Sequence, residues 1–449
     1  MSDDPDDWGG AEFVLAADRL DTPDVIEAAD PGDMLRQVAS AAAQVRTALR
    51  SCAETDLSAF AADGRPRAIV VAGMGGSGLA GEMLNAMAGL SSPVQVVVSQ
   101  AERLPGWVGA ADAVVAVSCS GSTPETLAIA TEAARRGCRL AGVGAEGSPL
   151  HRIAEQARAP FVPVVPPGLP RGGAAPSPQA TRPAPSPQAI RAAPSPQATR
   201  PAGSSPPEAA VLPRSMLWAV AVPLLVIAEG IGVARIGTDV YELVATRLEE
   251  ISHQCRPASD SFVNPGKSLA LDLVGELPMV WGTSALSGVA ARRFASQLQE
   301  NAKYPAIYGM LPEAAHSQVA AFDGPFAPHS SRLSAQEPGS GPDDMSELPG
   351  WDLDYEEDEA ASGFTALRLI LIADPDEDPR VASQRAAVTE LAGQRGVGIS
   401  ELAMDGEHPL VRLAGVIQLA DYASVYLAIA SGIDPGQTVA IRDLRTRIE

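Results

Sequence analysis

The sequence predicts an α/β fold of two doubly wound parallel sheets, each with helices on both faces. Three observations predict it. From Arg67 onward, short apolar runs alternate with helical stretches, the pattern of parallel strands joined by crossover helices. The same alternation resumes at Leu277. The 449 residues, 46% hydrophobic and 20% charged, are enough for two cores, since a domain commonly holds about 100 to 200 residues.

Residues 1–66 read as an acidic lead-in followed by a packing helix over Asp33–Cys52, where Met34, Val38, Ala41, Val45 and Leu49 recur at helical spacing. The first α/β unit, 67–167, has expected strands at Ala68–Ala72, Val94–Val98, Ala113–Val117, Arg139–Val143 and Pro160–Val164. Its helices are expected at Ser77–Met87, Pro124–Arg136 and Pro149–Ala157. Residues 168–210 hold a nine-residue repeat, Ala-Pro-Ser-Pro-Gln-Ala-Thr-Arg-Pro at 175–183, Ala-Pro-Ser-Pro-Gln-Ala-Ile-Arg-Ala at 184–192 and the first form again at 193–201. So much proline with so little apolar mass predicts an extended insertion without a core.

The second unit, 211–449, opens with helical segments to about Leu273. Within it Met216–Ala234 is the best transmembrane candidate, but Pro223 and Glu229 interrupt it; the run is short of the roughly 20 residues a bilayer span needs, so a buried core helix is expected. A strand at Leu277–Trp281, a helix over Ala285–Glu300 and a short strand at Ala306–Gly309 follow. An acidic insertion at 324–363 has nine acidic residues and no basic one between Asp343 and Glu359, the composition of a solvated loop. The strand Leu367–Ala373, the helix Arg380–Gln394, the strand Val397–Leu402 and helices over Pro409–Ser431 and Gln437–Ile448 complete the unit.

Two loops carry the chemistry. Val71-Ala72-Gly73-Met74-Gly75-Gly76-Ser77-Gly78 follows a strand and opens a helix, so its glycines let backbone N–H groups approach an anion unobstructed. The spacing also satisfies a dinucleotide fingerprint. That fold, however, needs an acidic residue at the end of its second strand to hold a ribose. Val96-Val97-Val98-Ser99-Gln100 ends without one, Glu102 being the nearest, which disfavours a nucleotide-dependent oxidoreductase. The second loop, Ser118-Cys119-Ser120-Gly121-Ser122-Thr123-Pro124, clusters hydroxyls at a helix start that suits Pro124 at its first position. Either loop alone reads as an ordinary turn and helix cap. Two of them at the carboxyl ends of neighbouring strands read as a phosphate cradle, with Gly75, Gly76, Ser77, Ser118, Ser120 and Thr123 as its contacts.

Gly73-x-Gly-Gly-Ser-Gly with Ser118-x-Ser-Gly-Ser-Thr resembles the sugar isomerase (SIS) domain. Gln299-Glu300-Asn301-Ala302-Lys303-Tyr304-Pro305 and Leu311-Pro312-Glu313-Ala314-Ala315-His316 resemble second-domain motifs of bifunctional phosphoglucose/phosphomannose isomerases. So does the closing stretch Asp421-Tyr422-Ala423-Ser424-Val425-Tyr426 through Asp434-Pro435. The resemblance covers most of residues 35–449 outside the insertions. It implies two SIS-type domains and an aldose–ketose isomerase acting on glucose 6-phosphate or mannose 6-phosphate and fructose 6-phosphate through an enediolate. It further implies Glu300 as base, His316 as ring-opening group, an arginine facing the enediolate, and no cofactor. The arginine follows a Pro-Arg pair, and Pro170-Arg171 and Pro213-Arg214 compete; Arg214 leads directly into the apolar helix and is favoured. Because the family draws its histidine from a second subunit, a homodimer is implied.

The tail departs from the family pattern of a threonine after Asp-Pro and a lysine further on. Here Asp434-Pro435-Gly436-Gln437-Thr438 precedes only Arg442, Arg445 and Arg447, and no lysine follows Lys303. Arginine does not titrate as lysine does, so a non-catalytic sugar-phosphate-binding regulator is the alternative. A net charge of −22 and a pI near 4.6 disfavour nucleic acid and anionic membrane as partners. Four scattered cysteines and an acidic start without a signal pattern give the expectation of a reduced, cytoplasmic protein. No metal-ligand spacing is seen.

Overall fold

The computed structural model describes residues 7–62, 64–90, 92–166, 212–327 and 365–448. The repeat at 168–210, Arg171 and most of the acidic insertion lie outside them. Five short helices precede the first sheet: α1 (Asp7–Asp21), α2 (Pro23–Ala29), α3 (Met34–Ala39), α4 (Ala41–Ala53) and α5 (Ser58–Ala61). The amino-terminal segment is therefore more than an acidic lead-in. Ala16, Leu20 and Ile26 are buried, and Arg19 donates to the carbonyl of Ala430, 2.7 Å away. The single helix expected over 33–52 is split at Ser40, whose hydroxyl bonds back to the Gln37 carbonyl at 2.7 Å. Asp30 caps the first piece, its carboxylate accepting the N–H groups of Met34 and Leu35.

The first sheet comprises β1 (Ala68–Ala72), β2 (Gln95–Ser99), β3 (Ala113–Ser118), β4 (Arg139–Gly144) and β5 (Phe161–Pro163), all parallel, in the order β2-β1-β3-β4-β5. Every residue of β1 and β3 is buried, as a parallel strand covered on both faces requires. Its crossover helices are α6 (Gly76–Ala88), α7 (Pro124–Arg135) and α8 (Pro149–Ala157). The second sheet has β6 (Leu277–Gly282), β7 (Ile307–Met310), β8 (Leu367–Ala373) and β9 (Gly398–Ala403) in the parallel order β7-β6-β8-β9. The strand order reverses after the first strand in both sheets, at β1/β3 and at β6/β8. At such switch points α/β sheets open a crevice at their carboxyl edge.

Between the sheets lies a helical layer of α9 (Leu217–Gly230), α10 (Thr238–Gln254), α11 (Pro265–Leu271), α12 (Ala285–Gln297) and the helix Pro409–Ala430. The expected core helix is there: α9 has Leu217 through Leu225 buried without interruption. Among the described residues, the helix long and apolar enough to cross a membrane is Pro409–Ala430, and 94% of its apolar window is buried inside the protein, the condition of a core helix. By contrast, the last helix, Val439–Ile448, has no buried residue.

Candidate functional site

Each loop owes its shape to glycines whose backbone angle or close packing disfavours a side chain. Gly75 takes φ +52° and ψ −125°, outside the range of L side chains. A Cβ on Gly73 would sit 2.8 Å from that of Ser77, and one on Gly78 would sit 2.5 Å from Nε2 of Gln100. The chain thus turns from β1 into α6 within three residues, directing the first N–H groups of α6 at the carboxyl edge of the sheet. Gly121, at φ +66°, packs so tightly on Ser148 that a Cβ would meet its hydroxyl at 2.1 Å.

The second loop holds its hydroxyls together. Ser118 Oγ lies 2.9 Å from Thr123 Oγ1 and 3.5 Å from Ser120 Oγ, and the Ser122 hydroxyl donates to Ser120 at 3.2 Å. Thr123 occupies the position preceding α7 yet makes no side-chain cap, so the ordinary role of a threonine there is unused. Loop 73–78 follows β1 and loop 118–123 follows β3, and the two strands are hydrogen-bonded neighbours.

The second unit reaches this edge through α12. Arg292, Ser296 and Glu300 fall four apart, on one face, and α12 packs on α6. Between the two helices is a cleft lined by Gly75, Gly76, Gln100, Arg292, Ser296 and Glu300. Glu300 belongs to a turn of π-helix, Leu298–Ala302, that continues α12, rather than to the α-helix expected to run to it. Such wide turns are frequent at functional sites. Lys303 closes the turn in the left-handed region, φ +61°, and its ammonium donates to the carbonyls of Glu300 (2.8 Å) and Asn301 (3.1 Å). Among the described residues no hydrogen bond engages the Glu300 carboxylate, which remains half-buried.

Arg214 is buried, in the 3₁₀ turn Pro213–Ser215. Its Nε donates to Asn301 Oδ1 at 2.8 Å and its Nη2 to the Pro435 carbonyl. Burial lowers its pKa, and the nearby Glu300 charge opposes that shift. A polar network holds it: Asn301 bonds Gln297 and Ser424, and Arg293 donates to both oxygens of Asp421 at 2.8 Å and to the Arg214 carbonyl at 2.7 Å. Lys303 has its pKa lowered by burial and by Arg214, with Asp434 and Glu300 opposing. Arg214, Lys303, Glu300 and Asp434 thus share one electrostatic neighbourhood. His316 does not join them in this chain. It is exposed, just past the short 3₁₀ turn Glu313–Ala315. Thr438 lies at the start of the exposed last helix.

Sequence reasoning missed Gln100 and Arg292. Gln100 was noted only for not being acidic, although its position just past β2 was a signal, since ligands bind at strand ends. Arg292 sits in no motif. Other polar features lie away from this cleft. A hollow of about 530 Å³ lined by Phe60, Arg135, Cys138, Arg139 and Arg158 opens at the amino edge of the first sheet. At the β6/β8 switch point, the buried Asp374 accepts from Ser284 at 2.6 Å, its N–H donates to Thr283, and Arg412 stands 3.5 Å away.

Residues 262–448 match the family described as the bacterial phospho-glucose isomerase C-terminal SIS domain. Over 380 residues, 85% of this chain and 89% of the other, the sequence is 22% identical to a bifunctional phosphoglucose/phosphomannose isomerase of Caldicellulosiruptor bescii. The protein of the same description from Aquifex aeolicus is 24% identical over 202 residues, 45% of this chain and 52% of that one. Among solved structures, tagatose-6-phosphate ketose/aldose isomerase from Escherichia coli superposes with a TM-score of 0.53, covering 91% of this chain and 94% of its own at 12% identity. That likeness is one of fold.

Proposed function

We propose that this chain, a SIS-domain protein resembling the bifunctional phosphoglucose/phosphomannose isomerases, interconverts an aldose 6-phosphate, glucose or mannose, with fructose 6-phosphate. The observation that carries the proposal is the cleft between α6 and α12, where the glycine loop meets Glu300 across the boundary of the two units. In this reading residues 67–167 hold the phosphate and 211–449 bring the reacting groups. The phosphate lies against Gly75, Gly76 and Ser77 and the hydroxyls of Ser118, Ser120 and Thr123, where the starts of α6 and α7 favour an anion by about 0.3 to 1 kcal/mol each.

The Glu300 carboxylate takes the proton from C2 of the open-chain aldose and returns it to C1, while a proton passes from the C2 hydroxyl to the C1 oxygen; the reverse reaction takes the carbon-bound proton from C1. A positioned acid–base group typically contributes a factor of about 100 to 10,000. Negative charge develops on the enediolate oxygens, and a fixed guanidinium facing them lowers the barrier. Arg214 meets the requirement of fixity, with two of its nitrogens committed to Asn301 and Pro435 and its charge beside Glu300. His316 opens the ring of the substrate held by a second subunit in a homodimer, which accounts for its exposed position on the isolated chain. The four cysteines are unpaired thiols, in keeping with a reducing, cytoplasmic setting.

The test is a coupled assay on fructose 6-phosphate that detects glucose 6-phosphate and mannose 6-phosphate separately. Turnover with loss of at least 100-fold in Glu300→Gln is expected; equal turnover in that variant would refute the assignment of the base. The exposed last helix, with Arg442, Arg445 and Arg447 and no lysine, favours one second reading, a regulator that binds sugar phosphates without converting them. Thermal stabilisation by fructose 6-phosphate without any turnover would establish that reading instead.

A further inference from the structure

Neither loop at the carboxyl edge of the first sheet contains a lysine or arginine, and the chain around it is strongly acidic. A sugar phosphate dianion bound there needs a cation brought from elsewhere. Two arginines face the cleft, and they differ in how far they are committed. Arg293 is 3% exposed, with Nε and Nη2 spent on Asp421 and the Arg214 carbonyl. Arg292 is 44% exposed at its side chain. Its Nη1 stands 3.0 Å from Glu82 Oε1, on α6, and its Nη2 donates to Gln100 Oε1 at 3.3 Å.

That ion pair is easily exchanged. Half-exposed pairs are weak because solvent screens them. Burial also raises the pKa of Glu82, with Arg292 opposing the shift, so the carboxylate gains less from its charge than an exposed one would. A phosphate offers the same guanidinium two oxygens and a double charge. Gln100, whose amide fills the space a side chain on Gly78 would need and whose Oε1 accepts from Arg292, keeps the arginine at the glycine loop during the exchange.

We propose that Arg292 is a substrate-binding residue for the phosphate group of the sugar phosphate, paired with Glu82 until a ligand enters and transferred to the phosphate when it does. The proposal rests on the sugar-phosphate reading above and deepens it. It makes specificity for a phosphorylated over a plain sugar a property of both units together, the neutral cradle from one and the charge from the other.

Kinetics and thermal-shift titrations of Arg292→Gln and Glu82→Gln with fructose 6-phosphate, and with inorganic phosphate as competitor, test it. Arg292→Gln is expected to raise KM for fructose 6-phosphate and Ki for phosphate by about 10- to 100-fold while kcat changes less than about threefold, the loss typical of one charge-assisted hydrogen bond. Glu82→Gln is expected to lower both constants, because it frees the arginine. If Arg292→Gln leaves KM and Ki within twofold of wild type, or if both variants weaken binding alike, the pair merely joins α6 to α12 and the proposal falls. A wild type that binds fructose 6-phosphate without turnover leaves the binding arm intact. One that neither binds nor converts it removes the sugar-phosphate reading, and this proposal with it.

Discussion

Asp30 shows how a single carboxyl can be both a cap and a burden. It accepts two N–H groups at the start of α3, yet burial outweighs them and pushes its pKa up to about 6 from 3.8. Between those values the folded protein holds a proton that the unfolded chain has released. Stability from this group is therefore present below about pH 4 and is lost as pH rises to about 6. Replacing it as Asp30→Asn should flatten that fall, so that the variant gains about 2 to 3 kcal/mol on wild type between pH 4 and 7, less the cost of the weaker cap. Urea melts at both pH values measure it; parallel pH dependence in the two proteins would contradict the assignment. At this scale the sequence was legible where a residue's meaning is local. The glycines of the first loop, the hydroxyls of the second and Glu300 carry motifs in their immediate neighbours. Arg292 and Gln100 acquire theirs from each other, 192 positions apart, and from Glu82, which no local pattern encodes.

The elements most clearly written in the sequence are the strands of both sheets, because continuous apolar runs bounded by glycine and proline leave few alternatives. α1 and α2 were not legible. Gly9 and Gly10 weaken the helical pattern of α1, and its burial comes from contacts with the distant helix Pro409–Ala430. The π-turn carrying Glu300 was equally hidden, since its closure depends on Lys303 folding back on two carbonyls. How α12 is anchored yields a prediction. Arg293 and Asp421 are 3% and 9% exposed, burial raises the Asp421 pKa and Arg293 opposes it, and the Arg214 carbonyl depends on the same guanidinium. Arg293→Met should cost about 3 to 5 kcal/mol in urea unfolding, because it strands a buried carboxylate. Arg293→Met combined with Asp421→Leu should recover much of that loss; equal cost in both variants would mean that packing, not charge, is what the pair supplies.

For the whole molecule, the proposed homodimer would bring the exposed His316 of one chain to the half-buried Glu300 of the other. If each site takes its histidine from the partner, Glu300→Gln and His316→Asn are each inactive alone, but in mixed dimers one of the two sites is complete. Randomly reassembled, equal amounts of the two variants should regain about a quarter of wild-type activity, since half the dimers are mixed and half of their sites are intact. No recovery after verified subunit exchange would place the histidine within its own chain. The two sheets share the same reversal of strand order, one after β1 and the other after β6. At the first reversal stand the two loops, the glycine loop facing α12; at the second, the buried Asp374 is held by Ser284 and Thr283 with Arg412 beside it. With the proposed phosphate loops on the first sheet alone, ligand titration should saturate at one equivalent per chain however high the sugar phosphate is raised; a second equivalent would point to the carboxyl edge of the other sheet.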